Sequence, residues 1–175
     1  ADDQTIFAAL DWVLTNRARY NIVAVNLSLG SEDRFREQCA ASPYSRIFER
    51  LRRQGVVPVV ASGNAAYLTG QYRDGLAEPA CAPGAVSVGA VYDDNAGFHD
   101  WLECVDTKPA PDDVLCFSQA ARYLTLLAPG GDVSAGGVVE SGTSQAAPHV
   151  TAAIAMLASA VPSSTLEQRV CALTR

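Results

Sequence analysis

The sequence predicts an α/β fold, with a mainly parallel β-sheet flanked by helices. Segments whose apolar residues recur at helical spacing alternate with short, nearly continuous apolar runs. This alternation calls for crossover connections, which make neighbouring strands parallel. Of the 175 residues 49% are hydrophobic, enough to form the core of one globular domain.

A helix and a strand are predicted for the first 30 residues. Helical spacing over residues 5–18 places four apolar residues on one face: Ile6, Leu10, Val13 and Leu14. The run 21–30 is apolar almost throughout and ends at a glycine. Such a run is typical of a strand buried on both faces of a parallel sheet.

A second helix and strand follow between residues 42 and 64. Ser42 and Pro43 supply a cap and a first-turn proline, and the helical pattern lasts until Gly55. The apolar run 55–64 predicts another buried strand, although Pro58 lacks the N–H that the ladder would use.

Two further strands and two helices complete the predicted order. The strands are expected at 85–91 and 123–129, and the helices at 141 to about 160 and at 166–173. The connections 65–83 and 92–117 and the glycine-rich stretch 130–137 are expected to be loops.

The strand ends locate the expected binding site. In parallel sheets, ligands bind beyond the carboxyl ends of the strands. Gly30, Asn64 and Gly130 follow three of the predicted strands and should therefore lie close together.

The charge and hydropathy of the chain exclude some partners. Nineteen acidic residues against 13 basic ones give a formal charge of −6, which disfavours nucleic acid and anionic membranes. The most apolar stretch, Val150–Val161, is shorter than the roughly 20 residues that cross a bilayer. The acidic start, Ala1–Gln4, shows no targeting segment.

The five cysteines predict disulfides rather than a zinc site. They show no C-x-x-C spacing and no neighbouring histidine pair. Their spacing alone leaves the pairing open.

The segment Ser141–His149 carries the strongest chemical signal. Ser144 stands near the start of the predicted helix, where free amides and the helix dipole stabilise developing negative charge. Gly142 and Ala146 are expected to leave room for a substrate carbonyl, and Pro148 is expected to break the helical ladder. The plainer interpretation is an N-capped helix.

The same segment closely resembles the nucleophile motif of the subtilisin-like serine proteases (subtilases, peptidase family S8). Asn26–Gly30 resembles the family's substrate-lining strand end, and Val60–Asn64 the strand that ends in the oxyanion asparagine. Residues 84–90 and 127–130 are similar to the next two strands. The resemblance covers nearly the whole chain and implies a subtilisin-like fold.

The resemblance implies a role for each matching residue. Ser144 would be the nucleophile, and its amide would hold the oxyanion together with the Asn64 side chain. Six residues would contact the backbone of an extended polypeptide substrate: Ser28, Leu29, Gly30, Ala61, Ser62 and Gly63.

The family's triad runs Asp, His, Ser along the chain, and only the serine has a match. His99 precedes Ser144 without the family's Gly-Thr-His context, and His149 is expected to be structural. A rewired site using His99 with Asp100 is the alternative. The resemblance implies that residues 1–175 form the C-terminal part of one peptidase domain, without its N-terminal strands and catalytic-His helix. Residues 93–116, approximately, would be an insertion.

Three explanations fit this arrangement. The chain is a fragment of a nicked enzyme, a truncated enzyme, or a form that has lost catalysis. The first predicts an N-terminal fragment of the same domain as a partner, and in the second that portion is simply missing. The third predicts an inactive remnant or a peptide-binding module.

The resemblance also suggests the disulfides. Cysteines at the positions of Cys39 and Cys81 are common in secreted relatives, which suggests this pair, and Cys104 with Cys116 would close the insertion. Cys171 would be free or paired with the missing segment. Such bridges imply an oxidising compartment and hence secretion.

No metal or cofactor is expected. Many relatives bind calcium through an aspartate where this chain has Thr125. Paired acids in the loops could bind calcium but are more often simply solvated: Asp93, Asp94, Asp112 and Asp113.

Overall fold

A computed structural model describes residues 2–174 of the chain. Its helices are α1 (Asp3–Tyr20), α2 (Tyr44–Arg53), α3 (Thr143–Ala160) and α4 (Leu166–Leu173). Its strands are β1 (Ala24–Leu27), β2 (Val57–Ala61), β3 (Tyr67–Leu68), β4 (Gln71–Tyr72), β5 (Val86–Val91), β6 (His99–Asp100), β7 (Val105–Asp106), β8 (Leu126–Pro129), β9 (Val133–Ala135) and β10 (Val138–Glu140).

The four longer strands form one parallel sheet between two layers of helices, which confirms the predicted α/β fold. The strand order is β1-β2-β5-β8, and every neighbouring pair is parallel. Val57 and Val59 of β2 pack with Ile154 of α3 on one face. Val60 packs on the other face with residues of α1 and α2. Successive residues of β2 therefore supply both halves of the core.

Side-chain hydrogen bonds lie at the starts of three helices. The Asp2 side chain accepts a hydrogen bond from the Thr5 amide at 2.8 Å, which caps α1. The Ser42 hydroxyl accepts from the Tyr44 amide at 3.2 Å, although the N-cap position of α2 is Pro43 rather than the expected Ser42. The Thr165 and Gln168 side chains form a capping box at the start of α4.

Strand β1 differs from its prediction. It was expected to be buried on both faces, but three of its four residues are only partly buried or exposed. The reason is its place in the sheet, because β1 pairs with β2 alone within residues 2–174. An edge strand lacks the cover that a second neighbour provides.

Strand β8 begins at Leu126 rather than at the expected Tyr123. Beside its start, Thr125 and Ser87 exchange side-chain bonds: the Ser87 amide donates to Thr125 Oγ1 at 3.1 Å, and the Thr125 amide to Ser87 Oγ at 3.0 Å. These bonds take the place of ladder bonds between the two backbones.

Three segments expected to be loops contain short hairpins. Strands β3–β4 lie in the first connection and β6–β7 in the second, while β9 lies in the glycine-rich stretch and pairs with β10 directly after it. Gly136 and Gly137 turn the last hairpin with φ values of 61° and 84°. Two successive positive φ values match the tight turn that joins antiparallel strands, and glycine adopts them without strain.

Helix α3 continues through Pro148 to Ala160, close to the predicted span, and Pro148 interrupts its hydrogen-bond ladder as expected. The proline removes one hydrogen-bond donor, but a side chain from another element compensates for it, as described below. Helix α3 packs on all four strands of the sheet. It contains no Asp, Glu, Lys or Arg. Part of this uncharged helix nevertheless faces solvent, since Met156 is 71% exposed.

Candidate active site

A cleft of about 330 Å³ lies where β1 and β2 end and α3 begins. Its lining comes from three separate segments: Leu29, Gly30, Ser31, Glu32, Ala61, Gly63, Asn64, Ala65, Thr143 and Ser144. The carboxyl ends of parallel strands share one edge of a sheet, which is why these segments meet. A larger cleft, about 560 Å³, lies beside the arginines of α2 and contains no residue of the Ser141–His149 segment.

Ser144 stands in the first turn of α3, where backbone amides have no intrahelical acceptor. Gly142 precedes the helix in an extended conformation, and its amide donates to the Gly130 carbonyl at 2.8 Å. The Gly142 carbonyl accepts from the amides of Gln145 and Ala146. The Ser144 amide therefore lies between anchored neighbours and faces the cleft end of the helix.

Thr143 fixes the orientation of Asn64. The Thr143 amide and hydroxyl both donate to Asn64 Oδ1, at 3.0 and 2.8 Å. The amide group's acceptor end is thus occupied, and its donor end, Nδ2, is turned away from Thr143. Nδ2 would lie only 3.2 Å from a Cβ built on Gly142, so a glycine here keeps Asn64 next to the start of α3.

Gln119 supports the loop that carries Asn64 from behind. This buried residue accepts from the Ala65 amide at 3.2 Å, and its own backbone amide donates to the Gly63 carbonyl at 2.9 Å. Its Nε2 donates to the carbonyls of Asp33 and Gly75, each at 3.0 Å. Four hydrogen bonds connect Gln119 to three loops and hold it in place beneath the cleft.

Four of the six residues expected to contact substrate line the cleft, and two do not. Leu29, Gly30, Ala61 and Gly63 line the cleft. Ser62 is fully buried, and among the described residues its hydroxyl has no hydrogen-bond partner. The Ser28 hydroxyl donates to the Ser144 carbonyl at 2.6 Å, so this side chain is bound within the protein.

The sequence suggested that Ala146 leaves room for a substrate carbonyl, but Ala146 does not face such a space in the structure. It is fully buried within the core on the α3 side of the sheet. A Cβ on Gly130 would lie 3.1 Å from the Ala146 Cβ. The small size of both residues is explained by this close packing.

Neither histidine is bonded to Ser144. His99 Nε2 lies 2.9 Å from an oxygen of Asp132, and its Nδ1 lies 3.0 Å from the Gly97 carbonyl. His149 Nδ1 lies 2.9 Å from the Gln145 carbonyl. The pairing of His99 with Asp100 is wrong, because Asp132 occupies that place.

The segment 93–116 is anchored by a partly buried carboxylate and a disulfide. Asp106 Oδ2 accepts from the Trp101 indole at 2.9 Å, from the Tyr92 hydroxyl at 3.0 Å and from the Cys116 amide at 3.2 Å. Burial, followed by the hydrogen bond to Asp106, raises the pKa of Tyr92 above its ordinary value. The segment is therefore an ordered part of the fold.

The structure contains the two disulfides expected from the resemblance, Cys39–Cys81 and Cys104–Cys116. Cys171 is exposed on α4 and belongs to neither bridge. Within residues 2–174, no group of three or more His, Cys, Asp or Glu side chains is placed to hold a metal ion. The helices of this part of the chain include none that combines the length and apolarity of a membrane span.

Of the residues singled out from the sequence, Ser144 and Asn64 lie at the cleft with Leu29, Gly30, Ala61 and Gly63. Sequence reasoning missed the residues that hold them. Thr143, Gln119 and the bond made by Ser28 were not anticipated. Thr143 could have been found, since it adjoins Ser144 in the motif. The sequence contains no local signal for Gln119.

Comparison with known proteins gives consistent matches. The model of the "Subtilase family" matches residues 2–174. A subtilisin-like protease of Coccidioides posadasii (strain C735) is 28% identical over 164 residues, which is 88% of this chain and 33% of that protein. Subtilisin-like protease 2 of Trichophyton rubrum is 30% identical over 165 residues, 88% of this chain and 32% of that protein. The chain thus spans about a third of the length of these curated relatives.

Proposed function

Because the chain belongs to the subtilase family, we propose that it carries the nucleophile and oxyanion hole of a serine endopeptidase. The observation that carries this proposal is the meeting of Asn64 and Ser144 at the start of α3, with Thr143 holding the acceptor end of the Asn64 amide. A hydrogen-bond donor and a hydroxyl beside a helix N-terminus are what acyl transfer to serine needs.

In the proposed reaction, Ser144 Oγ attacks the carbonyl carbon of a peptide bond. The carbonyl π electrons move to oxygen, and the Ser144 amide and Asn64 Nδ2 donate hydrogen bonds to this oxyanion. A general base takes the Ser144 Oγ proton during the attack and passes it to the nitrogen, so that collapse of the tetrahedral intermediate expels the amine and leaves an acyl-enzyme on Ser144. Water then hydrolyses the acyl-enzyme. The chemistry uses backbone and side-chain groups, and we propose no metal or cofactor.

The general base and its orienting carboxylate are proposed to come from an upstream segment outside these 175 residues. Both histidines are bonded to groups other than Ser144, which supports this assignment. The unpaired outer edge of β1 and the uncharged helix α3, with Met156 exposed, offer a surface on which such a segment would pack. Residues 1–175 would then be the C-terminal part of one peptidase domain, and 93–116 an insertion.

The substrate is proposed to be an extended polypeptide held mainly through its backbone. Leu29 and Gly30 form one wall of the cleft, and Ala61 and Gly63 form another. These segments continue from parallel strands, so their backbone groups can pair with an added strand. The two disulfides support secretion, because such bridges persist in oxidising compartments.

A peptide-binding module without catalysis is the second candidate, favoured by the absence of a histidine bonded to Ser144 among the described residues. A fluorophosphonate probe separates the two functions. In the complete protein we expect covalent labelling at Ser144, abolished by Ser144→Ala and unchanged by His99→Ala. Absence of labelling in the complete protein would favour the binding module.

The origin of the chain is tested by two further measurements. Intact mass and N-terminal sequencing of the natural protein distinguish a nicked enzyme, which yields an associated N-terminal fragment, from a truncated one. We also expect the isolated 175-residue chain to self-associate through β1 and α3. A monodisperse monomer in light scattering would contradict the proposed packing surface.

A further inference from the structure

Pro148 leaves a gap in the hydrogen bonding of α3. In an α-helix the carbonyl of each residue accepts from the amide four residues later, so the Ser144 carbonyl would bond to the amide of residue 148. Proline has no amide proton, and its ring crowds the carbonyl four residues earlier. The carbonyl left without its helical partner is the nucleophile's own.

The hydroxyl of Ser28 fills this gap. Ser28 Oγ donates to the Ser144 carbonyl at 2.6 Å, a contact between residues 116 positions apart in sequence. Ser28 directly follows the carboxyl end of β1. A residue just past this strand therefore supplies the hydrogen bond that the helix lacks. The short distance indicates a well-formed hydrogen bond between hydroxyl and carbonyl.

The direction of this bond is set by Asn26. Asn26 Nδ2 donates to Ser28 Oγ at 2.9 Å, which occupies the acceptor side of the hydroxyl and leaves its proton for Ser144. Asn26 Oδ1 in turn accepts from Thr151 Oγ1 at 3.4 Å. Asn26 and Ser28 therefore contact α3 on either side of Pro148.

We propose that Ser28 is a positioning residue that fixes the first turn of α3, and with it the hydroxyl and amide of Ser144, in the orientation needed for attack. This inference rests on the proposed function of Ser144. Without the Ser28 hydroxyl, the carbonyl of Ser144 would have to turn toward water. Such a turn rotates the peptide unit next to the attacking oxygen. Ser28 would thus act through Ser144, without contacting the substrate through its side chain.

The test is a double-mutant cycle in the complete, active protein. Ser28→Ala should lower kcat about 10-fold and change KM less than about 2-fold, because one hydrogen bond is lost and exposed water partly replaces it. Pro148→Ala restores an amide that can bond to the Ser144 carbonyl. In that background Ser28→Ala should lower kcat less than about 3-fold. Ser28→Thr keeps the hydroxyl and should retain most of the activity.

Two results would overturn the inference: an unchanged kcat in Ser28→Ala, or the same loss in both backgrounds. If the unmodified protein is not labelled at Ser144, the proposed function fails instead, and thermal unfolding still tests the bond. Ser28→Ala should lower Tm by about 2–4 °C in the presence of Pro148 and by less in the Pro148→Ala background. Equal shifts in the two backgrounds would disprove the contact.

Discussion

Thr143 and Asn64 are joined by two hydrogen bonds that end on the same oxygen. The Thr143 hydroxyl that donates to Asn64 Oδ1 also accepts from the Gly63 amide at 3.1 Å. One hydroxyl therefore links the start of α3 to the end of β2. Ser144 and Asn64, the proposed nucleophile and oxyanion donor, are thus linked through Thr143, which adjoins one and bonds to the other.

Replacing Thr143 by valine removes this link and keeps the side-chain shape. We expect Thr143→Val to lower kcat about 10-fold in the complete protein, since loss of one hydrogen bond lets Asn64 rotate. Thr143→Ser retains the hydroxyl and is the matched control. Asn64→Ala should lower kcat more, because loss of such an oxyanion donor lowers the turnover of a subtilisin about 10²- to 10³-fold. An unchanged kcat in Thr143→Val would contradict the proposed role.

Gly63 and Gly55 offer a matched pair for testing the loop beneath the cleft. Both have positive φ, 111° and 79°. A Cβ at Gly63 would lie 2.1 Å from Gln119 Oε1, whereas nothing lies within 4 Å at Gly55. Gly55→Ala should cost about 1–2 kcal/mol from backbone strain alone.

Gly63→Ala should cost at least about 2 kcal/mol more than Gly55→Ala, because the new methyl group overlaps a buried, hydrogen-bonded side chain. Chemical denaturation of the two variants measures the difference. Equal losses would show that Gln119 moves aside without penalty, and the loop would then be less rigid than inferred.

The two disulfides should differ in their contribution to stability. Cys39–Cys81 spans 42 residues and Cys104–Cys116 spans 12. In the chain-entropy model, loops of these lengths contribute about 4 and about 3 kcal/mol. Serine double variants, compared by denaturation, should follow this order. Cys171→Ser is the control, expected to change the free energy of unfolding by less than about 0.5 kcal/mol because Cys171 is exposed and outside both bridges. The reverse order would contradict the prediction.

Two buried tyrosines should make the fold sensitive to alkali. Burial, followed by hydrogen bonds to Asp106 and Asp3 respectively, raises the pKa values of Tyr92 and Tyr44 above the ordinary 10.0. A raised folded-state pKa means that their stabilisation is complete below pH 10 and is lost as pH rises above it. Absorbance near 295 nm and circular dichroism should show tyrosine ionisation and unfolding together.

The matched control for alkali sensitivity is Tyr92→Phe, which keeps the ring and removes the ionisable group. Its stability should decline less between pH 9 and 12 than that of the unmodified protein. An equal decline would show that Tyr92 ionises without unfolding the chain.

The parts of the fold that were predictable are those with many residues in one pattern. The strand 85–91 and the helix 166–173 agree closely with β5 and α4, because apolar spacing along the segment reflects the face that is buried. The burial of β1 could not be predicted in the same way. Its run 21–30 is nearly as apolar as that around β2, but within residues 2–174 β1 has a strand neighbour on one side alone, and this leaves it more exposed.

The short hairpins were not predicted from the sequence, for a different reason. Strands of two residues, such as β3 and β6, are too short to show a period, although the adjacent Gly136 and Gly137 were a usable turn signal for β9–β10. In the candidate site, Ser144 and Asn64 could be proposed from the sequence because local motifs surround them. Gln119 bonds to Ala65, 54 positions away, and local patterns contain no information about such partners.

The position of Ser144 at the start of α3 also determines when the site can exist. A ribosome completes β1, β2, β5 and β8 before it adds residue 143. Until then Asn64 lacks Thr143, Ser28 has no carbonyl to bind, and one face of the sheet is uncovered. A nascent chain at this stage lacks the proposed site, and its bare apolar sheet is the kind of surface that chaperones bind. The proposed site would therefore form only after the strands that support it are complete.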